Sequence, residues 1–267
     1  MVSPGQYVPE PEPWSAPISA TRSLSIAAAH RSSRWPLLLA GAAVVLYVAV
    51  FFVLRMRLYD GLYIGLWDQG FIQQALYNTL HGRPLEISIS HEGYTHLFAE
   101  HFFLFALALL PFYALAPHPA TLFLLEAVAT GGGGLALYLV ARRRLGNDWL
   151  ALALAVAYLL HPTLQWANLG LVWYGFHLEN FFPPLFLLAV AAADAGRPRV
   201  AGALFVLSLS VAEVFAIPVA LYGLARAARR PEDRRLGLTV LLAAVLSESP
   251  LPFSRSQYVE PRWLYYV

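Results

Sequence analysis

Residues 35–54 read WPLLLAGAAVVLYVAVFFVL, a run of 20 positions without a charge. At 1.5 Å of rise per residue such a helix is about 30 Å long, the thickness of the hydrocarbon core of a bilayer. The run therefore predicts a membrane helix. On its N-terminal side, Pro4, Pro9, Pro11, Pro13 and Pro17 are interleaved with Ser, Ala and Glu. That composition predicts a disordered tail over 1–34. It is not a cleaved signal, because the apolar run starts too late and continues too long. On its C-terminal side, residues 55–100 mix acids, Arg and His and cannot sit in lipid.

Beyond that wet segment the apolar runs resume. They cover Phe102–Pro117, then Pro119–Ala141, broken only by Glu126 and a Gly131–Gly134 run and closed by Arg142, Arg143 and Arg144. Trp149–His161, Asn180–Ala193, Val200–Ala225 with Glu213 in its middle, and Leu236–Ser247 complete the series. Together they predict six to eight crossings. Backbone groups in lipid must be bonded within their own segment, and the period-two alternation of a membrane barrel is absent. The expected fold is all-α: a polytopic helical bundle over 35–248, with an outer loop at 55–100 and a polar tail at 249–267.

Composition supports this. Of the 267 residues, 58% are apolar and only 13% charged, with mean hydropathy +0.56, where a soluble domain carries about 25% charged residues. There is no Cys, which excludes thiol nucleophiles and metal–thiolate centres. Every basic residue is Arg, so Schiff-base chemistry and a Walker lysine are excluded. A net charge of +2 spread thinly argues against nucleic acid as a partner.

The arginines also carry orientation. Arg22, Arg31 and Arg34 precede the first span; the 142–144 triplet, Arg197 with Arg199, and the group from Arg226 to Arg235 follow later. The positive-inside rule puts all four clusters, and the N-terminus, in the cytoplasm, with 55–100 and 165–179 outside. Strict alternation then fails unless 102–117 is re-entrant or lies on the surface, or the triplet breaks the rule. Residues 200–225 admit two readings, one long span with a buried Glu213 or two half-spans with Glu213 at an outer turn. Arg at both ends favours the second.

Charge at membrane depth costs about 2.5–3.5 kcal/mol on insertion scales, so it marks candidate function. Four places stand out: Asp68, Glu100-His101, Phe176-His177-Leu178-Glu179, and Glu213. Residues 67–80 predict an amphipathic interfacial helix with Trp67, Phe71, Ala75, Leu76, Thr79 and Leu80 on the apolar face and Asp68, Gln69 and Gln73 facing away. The bland alternative for Asp68 is a solvated acid, and for the histidines polar anchors at span mouths. His91, His96 and His101 recur every five residues, and helical ligand pairs need spacings of three or four. A divalent ion held across loops by Asp68, His101, His177 and Glu213 remains an alternative. The Gly131–Gly134 run, with no following Lys, predicts close helix packing.

One block resembles a known family. Trp67-Asp68-Gln69-Gly70, continuing through Gln74-Ala75-Leu76-Tyr77-Asn78 to His81-Gly82-Arg83, is similar to the signature of a bacterial and archaeal family of predicted membrane proteins, domain of unknown function 2079. Glu100-His101-Phe102 with Leu110-Pro111-Phe112-Tyr113, and Phe176-His177-Leu178-Glu179, resemble two later blocks. The resemblance runs from about Tyr59 to Arg235. Departures are Gln73 where the family has a second Asp, and Ala212-Glu213-Val214 where it has Lys-Glu-Asp. The family's chains are also longer, so this one looks shortened at its C-terminus.

That family looks like a branch of the type-C glycosyltransferases, which use polyprenyl-phosphate sugars and place an acidic catalytic residue in the first outer loop. The resemblance implies this role for Asp68, as general base in an inverting transfer at the outer face. It makes His101, His177 and Arg83 candidates to stabilise the leaving phosphate, and Glu179 and Glu213 candidates to orient the imidazoles or hold an ion. The implied partners are membrane lipid and a polyprenyl-phosphate sugar. Two alternatives remain: a transporter or flippase of a lipid-linked or small polar solute, and an inactive membrane fragment.

Overall fold

The structure is a computed structural model and describes residues 34–65, 67–90, 93–99, 101, 103–170, 174–229 and 233–247. The tails expected over 1–34 and 249–267 lie, apart from Arg34, outside the described residues, as do His91 and Glu100.

The described residues are mostly helical. In chain order the helices are α1 (Trp35–Asp60), α2 (Trp67–Leu80), α3 (Ala106–Leu115), α4 (Pro119–Leu145), α5 (Asp148–Leu159), α6 (Pro162–Gln165), α7 (Phe182–Asp194), α8 (Pro198–Leu209), α9 (Ala216–Arg229) and α10 (Arg234–Ser247). Local signals fix their ends. Pro119 opens α4 behind His118, whose ring accepts from the Ala120 N–H. Gly146, in the left-handed region at φ 63°, closes it. Asn147 then caps α5 through the N–H groups of Trp149 and Leu150, so two residues reverse the chain into an antiparallel pair.

Among the described residues two helices, α1 and α4, are long and apolar enough to cross a membrane, or three if α5 and the Pro162–Leu169 segment, bent by 45°, count as one span. They play different parts. Only 11% of the α1 window is buried against 61% for α4, so α1 is peripheral and α4 central. Leu38, Val45 and Leu46 on α1 are at least 58% exposed, and Leu221, Leu242 and Val245 on α9 and α10 are similar. Exposure of apolar side chains on this scale suits lipid, since a soluble monomer keeps its apolar patches to a few hundred Å².

The bundle has two chemically distinct ends. Ala40, near the start of α1, packs on Tyr138 and Ala141 near the end of α4, while Arg55 near the end of α1 bonds Glu126 near the start of α4. The two helices are therefore antiparallel. Arg34 and the Arg142–Arg144 triplet share one end. At that end Arg144 and Arg226 both bind Asp194, and Arg226 also binds Asp233, which brings the later arginine groups there too. Glu126 and Arg142 are 16 residues apart in α4, about 24 Å along the axis.

The all-α class holds, while two or three long apolar spans among the described residues do not establish the expected six to eight crossings. Three local details are now fixed. First, a small two-stranded antiparallel hairpin, β1 (Glu86–Ser90) and β2 (Gly93–His96), follows α2. Its signal is the period-two run Glu86-Ile87-Ser88-Ile89-Ser90, with Ile87 fully buried. Second, α3 has 10 residues, about 15 Å, half the hydrocarbon thickness; this fits the re-entrant or surface-lying reading of 102–117. Third, the chain breaks between α8 and α9, with Glu213 in a 3₁₀ turn, Glu213–Phe215. A single long span with a buried Glu213 is thereby excluded.

The Gly131–Gly134 run does bring helices together. A Cβ at Gly131 would lie 3.1 Å from Tyr47 and Val48 of α1, and one at Gly133 would overlap the Tyr158 hydroxyl of α5.

Candidate functional site

Opposite the arginine-rich end, aromatic side chains gather three segments that are far apart in sequence. The Phe105 N–H donates to the Ser210 carbonyl at 2.7 Å. The Phe105 and Phe181 rings lie 5.1 Å apart, and Phe182 stacks flat on Phe215 at 3.9 Å. Each segment carries an ionisable residue a few positions upstream of its aromatic: His101, Glu179 and Glu213. The result is a direct bond between His101 Nδ1 and Glu213 Oε1 at 2.8 Å, with both side chains more than a third exposed. Glu179 feels both partners. Burial pushes its carboxyl above the ordinary range, reinforced by the Glu213 charge and opposed by His101.

Asp68 occupies the first turn of α2, where unsatisfied backbone N–H groups favour negative charge. Its Oδ2 lies 3.9 Å from His177 Nδ1. The two side chains are 23% and 13% exposed, so the carboxylate is neither sealed away nor set in bulk solvent. The same local contact fixes both. The Gln69 N–H donates to the Tyr174 carbonyl at 3.0 Å, which ties the start of α2 to the segment before His177. Gly175 sits at φ 85°, where a Cβ would come within 2.6 Å of the Gln69 Cβ and 2.7 Å of the Gly65 carbonyl. Only glycine fits there, on conformation and on space.

Beneath Asp68 and His177 lies a buried ion pair. Arg55 Nη2 and Glu126 Oε2 are 2.8 Å apart, 5% and 1% exposed. The Glu126 carboxylate also accepts from the His177 N–H at 3.1 Å and from the Asn180 amide at 2.6 Å. Arg55 donates to the carbonyls of Asn168 and Gly175 and lies over the Phe123 ring. One ion pair thus fastens α1 and α4 to the chain that carries His177 and Glu179.

The structure brings together Asp68 with His177, and His101 with Glu213 and Glu179. It does not bring in Arg83. That residue follows α2, which is about 21 Å long, and bonds Asn78 Oδ1 at 2.7 Å and Glu86 at 3.4 Å. The α2 apolar stripe also needs correction. Trp67 and Leu80 are exposed, and the buried face is Phe71, Ile72, Ala75 and Leu76 together with Gln69 and Asn78. The two polar residues are buried by use: Gln69 lies against Gly175, and the Asn78 amide donates to the Glu86 carbonyl at 2.8 Å. Among the described residues no three acids or histidines converge as a metal site.

Residues 57–248 match the model of a family described as Predicted membrane protein (DUF2079). The chain belongs to that family. The matched region begins just after Arg55, contains every candidate residue named above, and ends at the close of α10. No curated protein and no solved structure matches the chain.

Sequence reasoning passed over Arg55 and Glu126 as site residues. The signal for Glu126 was available, since it is the lone acid in an otherwise apolar run of 23 residues. Arg55 gave none, because it falls at the point where the first apolar run ends and reads as a flanking charge.

Proposed function

We propose that this DUF2079 member is a membrane glycosyltransferase-like protein that moves a sugar from a polyprenyl-phosphate donor to an acceptor hydroxyl. The transfer takes place at the end of the bundle opposite the arginine clusters. The observation that carries the reading is the approach of Asp68 to His177 at 3.9 Å, part-exposed at the mouth of a lipid-facing bundle. On this reading α1, α4 and the bent α5–α6 unit cross the bilayer, and the shorter α7 to α10 run beside them between the two ends of the bundle. The arginine-rich end and the N-terminus are cytoplasmic by the positive-inside rule, and α3 enters without crossing.

Asp68 takes the proton of the acceptor hydroxyl as that oxygen attacks the anomeric carbon. The bond from that carbon to the phosphate oxygen breaks, and the electron pair leaves with the polyprenyl phosphate. Inversion follows, because one carboxylate acts from the side away from the leaving group. His101 supplies a donor where negative charge grows on the phosphate, while His177, 3.9 Å from Asp68, steadies the attacking carboxylate. Glu213 orients the His101 ring through its Nδ1 bond, and Glu179 lies near enough to both for their charges to act on it. The polyprenyl chain lies in lipid against the exposed apolar helices. Arg83 has no part in this step.

A second reading, a transporter of a lipid-linked or polar solute, is favoured by a different observation: the 45° break between α5 and α6 beside a buried ion pair. One experiment separates the two. The purified full-length chain in proteoliposomes is given a panel of radiolabelled polyprenyl-phosphate hexoses and simple alkyl glycoside acceptors. The glycosyltransferase reading expects hexose released from its carrier, lost in Asp68→Asn and kept in Arg83→Gln. Movement of intact donor across the bilayer, or activity undiminished in Asp68→Asn, overturns it.

A further inference from the structure

The arginine-rich end holds a second feature that the proposed transfer does not use. Between α4, α7 and α8 lies an open cavity of about 640 Å³ lined by Leu139, Arg142, Arg143, Leu188, Arg197 and Leu204, with small side chains between them. Its polarity is graded along the helix axes. Arg143 lies one turn beyond Leu139 on α4, Leu188 lies six residues before Asp194 on α7, and Leu204 lies seven residues after Arg197 on α8. Each helix therefore offers about 6–10 Å of apolar wall running inward from a cationic mouth.

The charges at that mouth are not all used. Arg142 is paired with Asp148 at 2.8 Å. Asp194, a buried acid at the same end, is already taken by Arg144 and Arg226. Among the described residues Arg143 and Arg197 have no acidic partner within ion-pair distance. Two unneutralised guanidiniums above a greasy slot match a ligand with an anionic head and an apolar tail, and a guanidinium suits a phosphate in particular through its planar fork of donors.

We propose that this groove is a binding site for an anionic phospholipid of the leaflet at the arginine-rich end. The phosphate sits between Arg143 and Arg197, and one acyl chain lies along Leu139, Leu188 and Leu204. The site wedges lipid between α4 and the α7–α8 pair, on the side of the bundle away from Asp68. It does not depend on the glycosyltransferase reading. Basic pockets between membrane helices recognise acidic headgroups by the same chemistry.

The test uses the full-length chain in detergent, with retention of phosphatidylglycerol and phosphatidylcholine read by native mass spectrometry. Each arginine removed costs about fivefold in affinity, so Arg143→Gln with Arg197→Gln lowers phosphatidylglycerol retention about 25-fold. Arg229→Gln with Arg234→Gln makes the same change in net charge at exposed positions of the same end and leaves retention unchanged. Leu204→Trp fills the apolar slot without altering charge and also displaces the lipid, so the result does not rest on one variant. Millimolar glycerol phosphate does not compete, because it lacks the chain. Equal loss in both arginine pairs overturns the proposal, since attraction would then be diffuse. Equal retention of phosphatidylcholine, unchanged binding in Leu204→Trp, or competition by glycerol phosphate overturns it as well.

Discussion

Replacing Glu126 with Leu tests the ion pair on which the site rests. The Glu126 carboxylate accepts from Arg55 at 2.8 Å, from the His177 N–H at 3.1 Å and from the Asn180 amide at 2.6 Å, and it is 1% exposed. Removing it leaves a guanidinium that is itself 5% exposed without its counter-charge, a loss of about 3–5 kcal/mol. The two amide donors then lack an acceptor, at about 1–3 kcal/mol each if water does not reach them. Arg55 keeps the Asn168 and Gly175 carbonyls and the Phe123 face, which offsets part of this. The expected net cost is about 5 kcal/mol, or about 10–20 °C in Tm for a chain of this size. Arg55→Met is destabilising for the converse reason, since it strands the carboxylate. The double variant Arg55→Met/Glu126→Leu removes both charges, and its cost falls short of the summed single costs by about 2–3 kcal/mol. Thermal unfolding of the four proteins in one detergent, followed by tryptophan fluorescence, closes the cycle. Additivity within about 0.5 kcal/mol, or single-variant shifts below about 3 °C, would show that Arg55 and Glu126 do not act as a unit and would refute the reasoning.

Gly175→Ala puts a Cβ against Gln69 and the Gly65 carbonyl at a left-handed φ; a loss of about 2–3 kcal/mol, read as a lowered Tm, is expected, and an unchanged Tm contradicts the close approach. Glu179 holds its proton above its ordinary 4.5, so from that pH up to its raised value the native state binds more protons than the unfolded one. Stability therefore falls as pH rises through that window, and Glu179→Gln flattens the slope measured from pH 4 to pH 8. The His101–Glu213 pair is more than a third exposed on both sides, so Glu213→Gln changes stability by less than about 1 kcal/mol while lowering transfer; a large drop in Tm would make the pair structural instead. Gly133→Ala drives a methyl into the Tyr158 hydroxyl and lowers Tm, and Tyr158→Phe in the same chain restores part of the loss, as a double-variant melting series would show.

Much of the architecture was legible because lipid imposes it. A chain with 13% charge and an uncharged run of 20 residues has few ways to satisfy its backbone other than helices. The break at Glu213 was readable from arginines on both sides, and the close packing at Gly131–Gly134 from the missing side chains. The hairpin at 86–96 was not read, because its alternation covers five residues inside a polar loop. The buried face of α2 was misjudged at Gln69 and Asn78, where polar side chains go inward to meet Gly175 and the Glu86 carbonyl.

The sequence by itself determined the solvent. Composition and run length are one-dimensional, and they suffice to assign a lipid-facing helical chain and to name Asp68, His101, His177, Glu179 and Glu213 as polar residues out of place. Only the tertiary structure decided who meets whom. His101 and Glu213 are separated by 112 residues and Arg55 and Gly175 by 120, distances over which no periodicity carries information. Their meeting depends on aromatic stacking between Phe105, Phe181, Phe182 and Phe215 and on a buried charge pair. It also leaves Arg83, which looks like a site residue in the chain, bonded to its own neighbours.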